Sequence, residues 1–508
     1  MTNRRSLLVR LPAAVVVVAG MAVAQAAPVR AAAATVDGLW RVDGYGMAVS
    51  VRDGRLRAYE TTAISCLPWF DATRSGGPAP GGVVRFTGDG IPPLTLWPVR
   101  RTGHVRLAVS GSTGTRELLP IDRLPEACSR GLPSDPVTSF DVFWRTFAEN
   151  YPFFRQHGVD WDAVGAAHRP LVRPDMSDDD LFGVLRSMIE PLHDAHTGLV
   201  ADDAHRFFGI REGTPDRSVV EKRALDIVDA QLPAAARTWG NGALTYADLD
   251  GRLGYLRVNR FAGYTEDSSF AQDSAVLDDA LDEILTPART SGARALRGLI
   301  LDVRLNRGGS DALANRLVAG LTRRPYLAYR KWARNDPDDP GSRTRAVPVR
   351  IRPRPGPRYT GPVAVLTGSL TVSAGETFTQ ALLGRRPAPV RIGQPTQGVF
   401  SDIMPRTLPN GWQFALPDEE YMTATGRTFD VTGIPPTITT PVFTPAELEA
   451  GVDSALRTAR SLLTSDGPRQ GLRPTAQYTS RGCGSVPGCG RHSGVDTTPG
   501  SRSSSPSK

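Results

Sequence analysis

Pro362-Val363-Ala364-Val365-Leu366-Thr367 reads as a buried strand, and Ser373-Ala374-Gly375-Glu376 opens a helix whose apolar face carries Phe378, Ala381, Leu382 and Leu383. Ser373 therefore stands at a strand-to-helix turn. There the free N–H groups and the positive dipole end of the helix converge. Such a place lowers the cost of a developing negative charge, and a serine in it can serve as a nucleophile. The same four residues also spell a capping box, with serine at the N-cap and glutamate at N3. Taken alone, the turn favours that structural role.

A second segment upstream shifts the balance. Leu299-Ile300-Leu301-Asp302-Val303-Arg304-Leu305-Asn306-Arg307-Gly308-Gly309-Ser310 is another buried-type strand ending in an Asn-Arg-Gly-Gly turn. The helix that follows carries Leu313, Leu317, Val318 and Leu321. Paired glycines open backbone conformations closed to other residues and let a ligand approach the main chain. A third strand and turn, Pro389-Val390-Arg391-Ile392-Gly393 and then Thr396-Gln397-Gly398, completes the pattern.

In this order and spacing the pieces resemble the tail-specific, or C-terminal-processing, serine proteases. That superfamily includes the tricorn core protease and the repeats of interphotoreceptor retinoid-binding protein. Asp302 to Gly309 is similar to the family's Asp-x-Arg-x-Asn-x-Gly-Gly element, Ser373 to Glu376 to its nucleophile turn, and Gly393 to Gly398 to its Gly-x-x-Thr-x-Gly element. Leu192-His193-Asp194-Ala195-His196-Thr197 is similar to its Leu-x-Asp-x-His-Thr, and Gly433-Ile434-Pro435-Pro436 to its closing Gly-Ile-x-Pro, with Thr437 where the family has Asp. The resemblance spans residues 135–445. It implies an α/β core of the crotonase-like (ClpP/crotonase-type) ββα kind and a serine-type endopeptidase needing no cofactor.

Counting separates two branches. Classical bacterial members resemble a Ser–Lys dyad, with lysine directly after the Thr-x-Gly element; here that position is Val399. The chain has three lysines, Lys222, Lys331 and Lys508, and only the last follows Ser373. The tricorn-like branch uses a histidine base from the region where His196 stands. Histidine suits the task because its ordinary pKa lies near working pH. His193 is the fallback. The His193-x-x-His196 spacing also admits metal, but no third ligand group with zinc spacing accompanies it, and no metal is expected.

A histidine base usually has a carboxylate fixing its tautomer. Asp194, Glu376, Glu419 and Glu420 are the candidates, with Glu376 and Glu420 carried forward as orienting acids and Glu376 also read as the cap. For the oxyanion, the resemblance supports the backbone N–H of Ala374 with that of Gly308 or Gly309.

Residues 1–35 contain Arg4, Arg5, Arg10 and Arg30, no acid, a short apolar run from Leu11 to Ala24, and a small-x-small site at Ala24-Gln25-Ala26. They read as a secretory signal peptide, Sec or twin-arginine, too short in its apolar run for a span. Four cysteines fit an oxidising location. Cys66 and Cys128 would staple the first folded module, and Cys483 with Cys489 would close a small loop. Three pairings are possible, of which the sequential one needs the shortest loops. The net charge of +8 comes from the two ends: residues 1–35 and residues 465–508 each sum to +4, and the folded part is neutral. No nucleic-acid module is visible, and the expected partner is a peptide or an unfolded protein.

The organisation follows: signal peptide 1–35, small β module 36–132, helical subdomain 133–203 bearing the histidine motif, irregular connector 204–250, α/β core 251–464, and a Gly/Ser/Pro-rich disordered tail 465–508. Phe140, Phe143, Trp144, Phe147 and Tyr151 form one helical face; a second helix starts at Ser177, and another covers 274–285. About fifty residues separate Thr197 from the strand at Gly254, too few for the roughly 80–100 of a PDZ domain, so none is expected. Three functions compete: a secreted serine peptidase with Ser373 and His196, a non-catalytic ligand- or peptide-binding protein on the same scaffold, and an esterase or amidase.

Overall fold

The computed structural model describes residues 35–465. The stretch read as a signal peptide, the stretch read as a disordered tail beyond Ser465, and Cys483 and Cys489 lie outside the described residues.

The first eight strands, from Gly38–Val42 to Arg116–Pro120, form a closed antiparallel barrel in simple sequence order. The first strand pairs with the last, Trp40 opposite Pro120, and closes it. Alternation does the work here: along Arg55–Thr61 every second residue is buried. Trp40, Val49, Leu56, Phe86, Leu96, Leu107 and Leu118 fill the interior, so the barrel has a packed core. A Cys66–Cys128 disulfide ties the fourth strand to the short helix Glu126–Ser129, the pairing with the shorter loop.

The C-terminal core is a seven-stranded sheet in the order 237–239, 244–249, 253–258, 298–302, 363–367, 390–393 and 438–439. The last five strands run parallel. Both faces are covered, which explains the unbroken apolar runs of the sequence. Leu299, Leu301, Val363 and Val365 pack on one side, with Leu281, Leu317, Phe378 and Leu382 from the helices Phe270–Ile284, Asp311–Ala319 and Ala374–Leu382. Ile300, Ala364 and Leu366 face the other side, with Val220 and Ala224 of Arg217–Asp229 and Leu456 and Ala459 of Ser454–Thr464.

Two readings need correction. The stretch 204–250, read as irregular, contains the helix Arg217–Asp229 and the strand Leu244–Leu249, which joins the main sheet beside Leu253–Val258. The helix is polar over most of its surface and buries only Val220, Ala224, Ile227 and Val228, a stripe too thin to stand out in the sequence. The helix expected over 274–285 begins at Phe270, because Ser269 caps it by accepting from the Gln272 N–H.

After the barrel come the helices Pro136–Asn150 and Asp178–Ile189, the second capped by Ser177. Phe140, Phe143, Phe147, Leu181 and Leu185 pack on Leu199, Met404, Phe414 and Leu416. Those residues belong to a four-stranded sheet in the order 206–208, 198–200, 413–417, 403–407. The histidine motif leads directly into this sheet through its strand Gly198–Val200.

Candidate active site

Ser373 lies between the strand Val363–Thr367 and the helix Ala374–Leu382 with its backbone at φ +55°, ψ −121°. Ser177, Ser269, Thr286, Ser310 and Thr444 also stand at helix N-caps. All five have the ordinary extended backbone, and their side chains accept from the first turn. Ser373 has the cap sequence without the cap conformation. A non-glycine residue held there costs about 1–3 kcal/mol and persists only where its surroundings over-determine it.

Those surroundings are specific. The Ser373 N–H donates to the Val399 carbonyl at 3.1 Å and towards Glu376 Oε2 at 3.3 Å. The Ser373 carbonyl accepts from the N–H groups of Glu376 and Thr377 at 2.7 and 3.0 Å. Glu376, fully buried, accepts from Gly398 N–H at 2.6 Å and Val399 N–H at 2.8 Å. Burial pushes its carboxyl up to about 7, against the pull of Thr396 and these amides. Glu376 thus ties the nucleophile turn to the loop at 396–399, and its bonds go to backbone amides and the Thr396 side chain rather than to a histidine.

The Gly-Gly turn abuts Ser373. A Cβ on Gly308 would lie 2.7 Å from Ser373 Cβ, and one on Gly309 2.5 Å from the Phe261 carbonyl, so neither site admits a side chain. Both have positive φ, +82° and +124°. Asn306 shapes the turn: its Oδ1 accepts from Gly308 N–H at 2.8 Å, and its Nδ2 donates to the Val258 carbonyl at 2.8 Å. The Gly308 amide is therefore committed. Ser310 N–H goes to Phe261. The N–H groups of Gly309 and Ala374 are left without an acceptor among the described residues.

Strand register explains where His196 falls. Gly198 pairs with Ala415, Ala415 with Pro405, and Pro417 with Ile403. Two residues before Gly198, the chain is level with Pro417 and Ile403, beside Ser401 and Asp402. His196 is 5 % exposed and its Nδ1 has no hydrogen-bond partner among the described residues. Burial holds the imidazole down to about 4, although the Asp402 charge and the Ser401 carbonyl both favour its protonated form. It is neutral at neutral pH. The four residues Val399–Asp402 thus run from the Ser373 amide to the His196 ring.

None of the four carboxylates considered from sequence faces the ring. Asp194 holds the histidine's main chain: Oδ1 accepts from His196 N–H at 2.8 Å and Oδ2 from Tyr151 Oη at 2.9 Å. Glu419 accepts from Tyr45 Oη at 2.6 Å and Lys331 Nζ at 2.9 Å, and Glu420 from the Trp332 indole at 2.8 Å. The carboxylate whose charge reaches His196 is Asp402, which belongs to no motif and could not be singled out from the sequence. Burial opposes the Asp402 charge, but Lys331, Arg116 and Ser112 outweigh it and hold the carboxyl below its ordinary range. Lys331 itself is buried at 3.5 Å from Asp402; burial would neutralise it, yet Asp402, Glu419 and Asp311 keep it charged. A protonated ammonium is no base. His193, the second residue of the motif, is exposed at a positive φ of +46°.

The motif's Asp302 and Arg304 play a different part. Arg304, 1 % exposed, forms paired bonds with Asp302 and with Asp453 at 2.6–3.0 Å. They anchor the strand end beneath the turn.

Residues 252–440 match the family model of peptidase family S41, and residues 135–190 that of the tricorn protease C1 domain. Residues 252–440 belong to peptidase family S41. The S41 region holds Ser373, the Gly308-Gly309 turn and the Val399–Asp402 segment, and marks the chain as a serine-type peptidase. Among solved structures, the chain is similar to a predicted peptidase from Parabacteroides merdae ATCC 43184, with 25% identity and a TM-score of 0.55 over 66% of this chain and 98% of that one. It is also similar to mature CPAF complexed with lactacystin, at 12% identity and TM-score 0.46 over 65% and 97% of the two chains. The photosystem II D1 C-terminal processing protease is 14% identical, with a TM-score of 0.38 over 65% and 98%. No curated protein matches the chain.

Proposed function

We propose that this S41 chain hydrolyses peptide bonds with Ser373 as nucleophile and His196 as general base. The observation that carries the reading is the conformation of Ser373: a strained serine at a helix N-terminus, packed on a Gly-Gly turn that leaves one amide free. Strain of this kind gathers where a side chain must be presented rather than buried.

In the reaction, Ser373 Oγ attacks the peptide carbonyl carbon and its proton passes to the neutral His196. The carbonyl oxygen becomes an oxyanion, held by the N–H groups of Gly309 and Ala374 at the positive end of the helix. The imidazolium formed is stabilised by the charge of Asp402. It returns the proton to the leaving amine as the C–N bond breaks; water, deprotonated by the same histidine, then attacks the acyl carbon, and as the bond to Ser373 Oγ breaks the imidazolium gives that proton back to Oγ and the acid is released. Asp194 and Glu376 act as struts, one for the histidine turn and one for the serine turn.

The composition of residues 1–35 and the Cys66–Cys128 bridge support action outside the cytoplasm. Among the described residues no helix is long and apolar enough to cross a membrane. The test is turnover of a pooled peptide library and of simple esters by the mature protein. Cleavage of peptides supports the reading; turnover of esters alone makes the chain an esterase; neither, with a correctly folded protein, makes it a binding scaffold.

A further inference from the structure

A hairpin loop of the barrel reaches the candidate site. Residues 110–115 join the strands His104–Val109 and Arg116–Pro120. The Gly111 carbonyl accepts from Ser310 Oγ at 2.6 Å and from Ala312 N–H at 3.4 Å. Ser310 directly follows Gly309 and caps the helix Asp311–Ala319. The next loop residue, Ser112, donates from Oγ to Asp402 Oδ2 at 3.1 Å. The loop is seated without slack, since a Cβ on Gly114 would lie 2.6 Å from Val347 Cγ1. Behind it, Tyr45 of the barrel bonds Glu419 of the core, which also holds Lys331.

We infer that this barrel loop is part of the active site: Gly111 fixes the oxyanion turn through Ser310, and Ser112 fixes Asp402, the carboxylate behind His196. The inference rests on the Ser373–His196 reading. It gives the N-terminal module a role that its sequence does not disclose. Gly111 and Ser112 are positioning residues, since neither is placed to touch substrate.

The physical link is electrostatic. Asp402 is surrounded by Lys331, Arg116 and Ser112, which favour its charge, and by Asp311 and Asp418, which oppose it; Tyr329 and Tyr421 also border it. A hydroxyl donating to the carboxylate keeps it ionised to lower pH. The ionised carboxylate in turn stabilises the imidazolium that forms when Ser373 gives up its proton. Without the hydroxyl, Asp402 takes up a proton at higher pH and that stabilisation is lost earlier.

The test is the rate of Ser373 labelling by a fluorophosphonate across pH, on the full mature chain. Wild type is compared with Ser112→Ala, Ser112→Thr and Arg57→Ala. Arg57 pairs with Asp71 on the outer face of the barrel and serves as a control. The expected result for Ser112→Ala is an acid limb that begins at higher pH, with labelling about tenfold slower along it. Ser112→Thr restores the wild-type limb, and Arg57→Ala never leaves it. A folded Ser112→Ala whose profile overlays wild type overturns the inference alone, as does a Thr variant that rescues nothing. A wild type that is not labelled at any pH overturns the Ser373–His196 reading, and the inference with it.

Discussion

The amide of Ser373 donates to the carbonyl of Val399, at 3.1 Å. Val399 thus supports the nucleophile turn through its backbone, and its side chain has no proton to take or give. Val399 also begins the four-residue stretch that ends at Asp402 beside His196.

The backbone of Ser373 gives a stability prediction. At φ +55°, ψ −121° a serine or an alanine is strained and a glycine is not. Ser373→Gly should therefore be more stable than Ser373→Ala by about 1 kcal/mol, after the extra freedom of glycine in the unfolded chain is subtracted. Both variants should be inactive. Urea unfolding decides it; an alanine variant at least as stable as the glycine one would remove the argument from strain.

Asn306 should matter to shape and stability together. Its side chain satisfies the Gly308 N–H and the Val258 carbonyl, both in the interior. Asn306→Ala leaves the two unpaired and should cost about 2–4 kcal/mol. With Gly308 released, labelling of Ser373 per folded molecule should fall as well. A variant that loses stability but labels at the wild-type rate would confine Asn306 to a structural role.

The buried strands and helix caps of the core are legible in the sequence, and the partners of the candidate site residues are not. Buried strands such as Leu299–Leu301 and Val363–Leu366 announce themselves because both faces of a parallel sheet are apolar, and Ser177 is a plain cap. The helix at 217–229 was hidden by its thin apolar stripe. Pairing partners were hidden for a different reason: Asp402 reaches His196 only through the register of three antiparallel strands, and nothing local in Ser401-Asp402-Ile403 reports that. Ser112 lies 290 residues from Asp402 along the chain. Glu376 illustrates the converse, since its cap sequence is genuine while its main partners, Gly398 and Val399, are distant.

The neutral His196 ties stability to pH. Its folded value of about 4 lies below the ordinary 6.5, so the unfolded chain binds the extra proton between those limits. His196 therefore contributes stability that is fully present above pH 6.5 and is lost as pH falls towards 4. Asp194, pushed up to about 6 by burial, acts in the opposite sense and masks part of the effect in wild type. The informative quantity is the stability gap between wild type and His196→Gln, which should widen by about 3 kcal/mol from pH 4 to pH 7. A gap independent of pH would mean that the ring is solvated and titrates normally.

Arg304 should be structural and nothing more. Arg304→Met strands Asp302 and Asp453 as buried, unpaired carboxylates, and removing one partner of such a network costs about 3–5 kcal/mol. The variant should unfold at lower denaturant yet, while folded, label at Ser373 as wild type does. Loss of labelling in the folded fraction would give the Asp302–Arg304 pair a direct part in the site.

The central claim is that Ser373 is activated by His196. Its most direct test is peptide turnover by the mature protein beside Ser373→Ala and His196→Ala, with folding checked in each. The account predicts cleavage by wild type and none by either variant. Cleavage that survives in folded His196→Ala would contradict it and send the search for the base elsewhere.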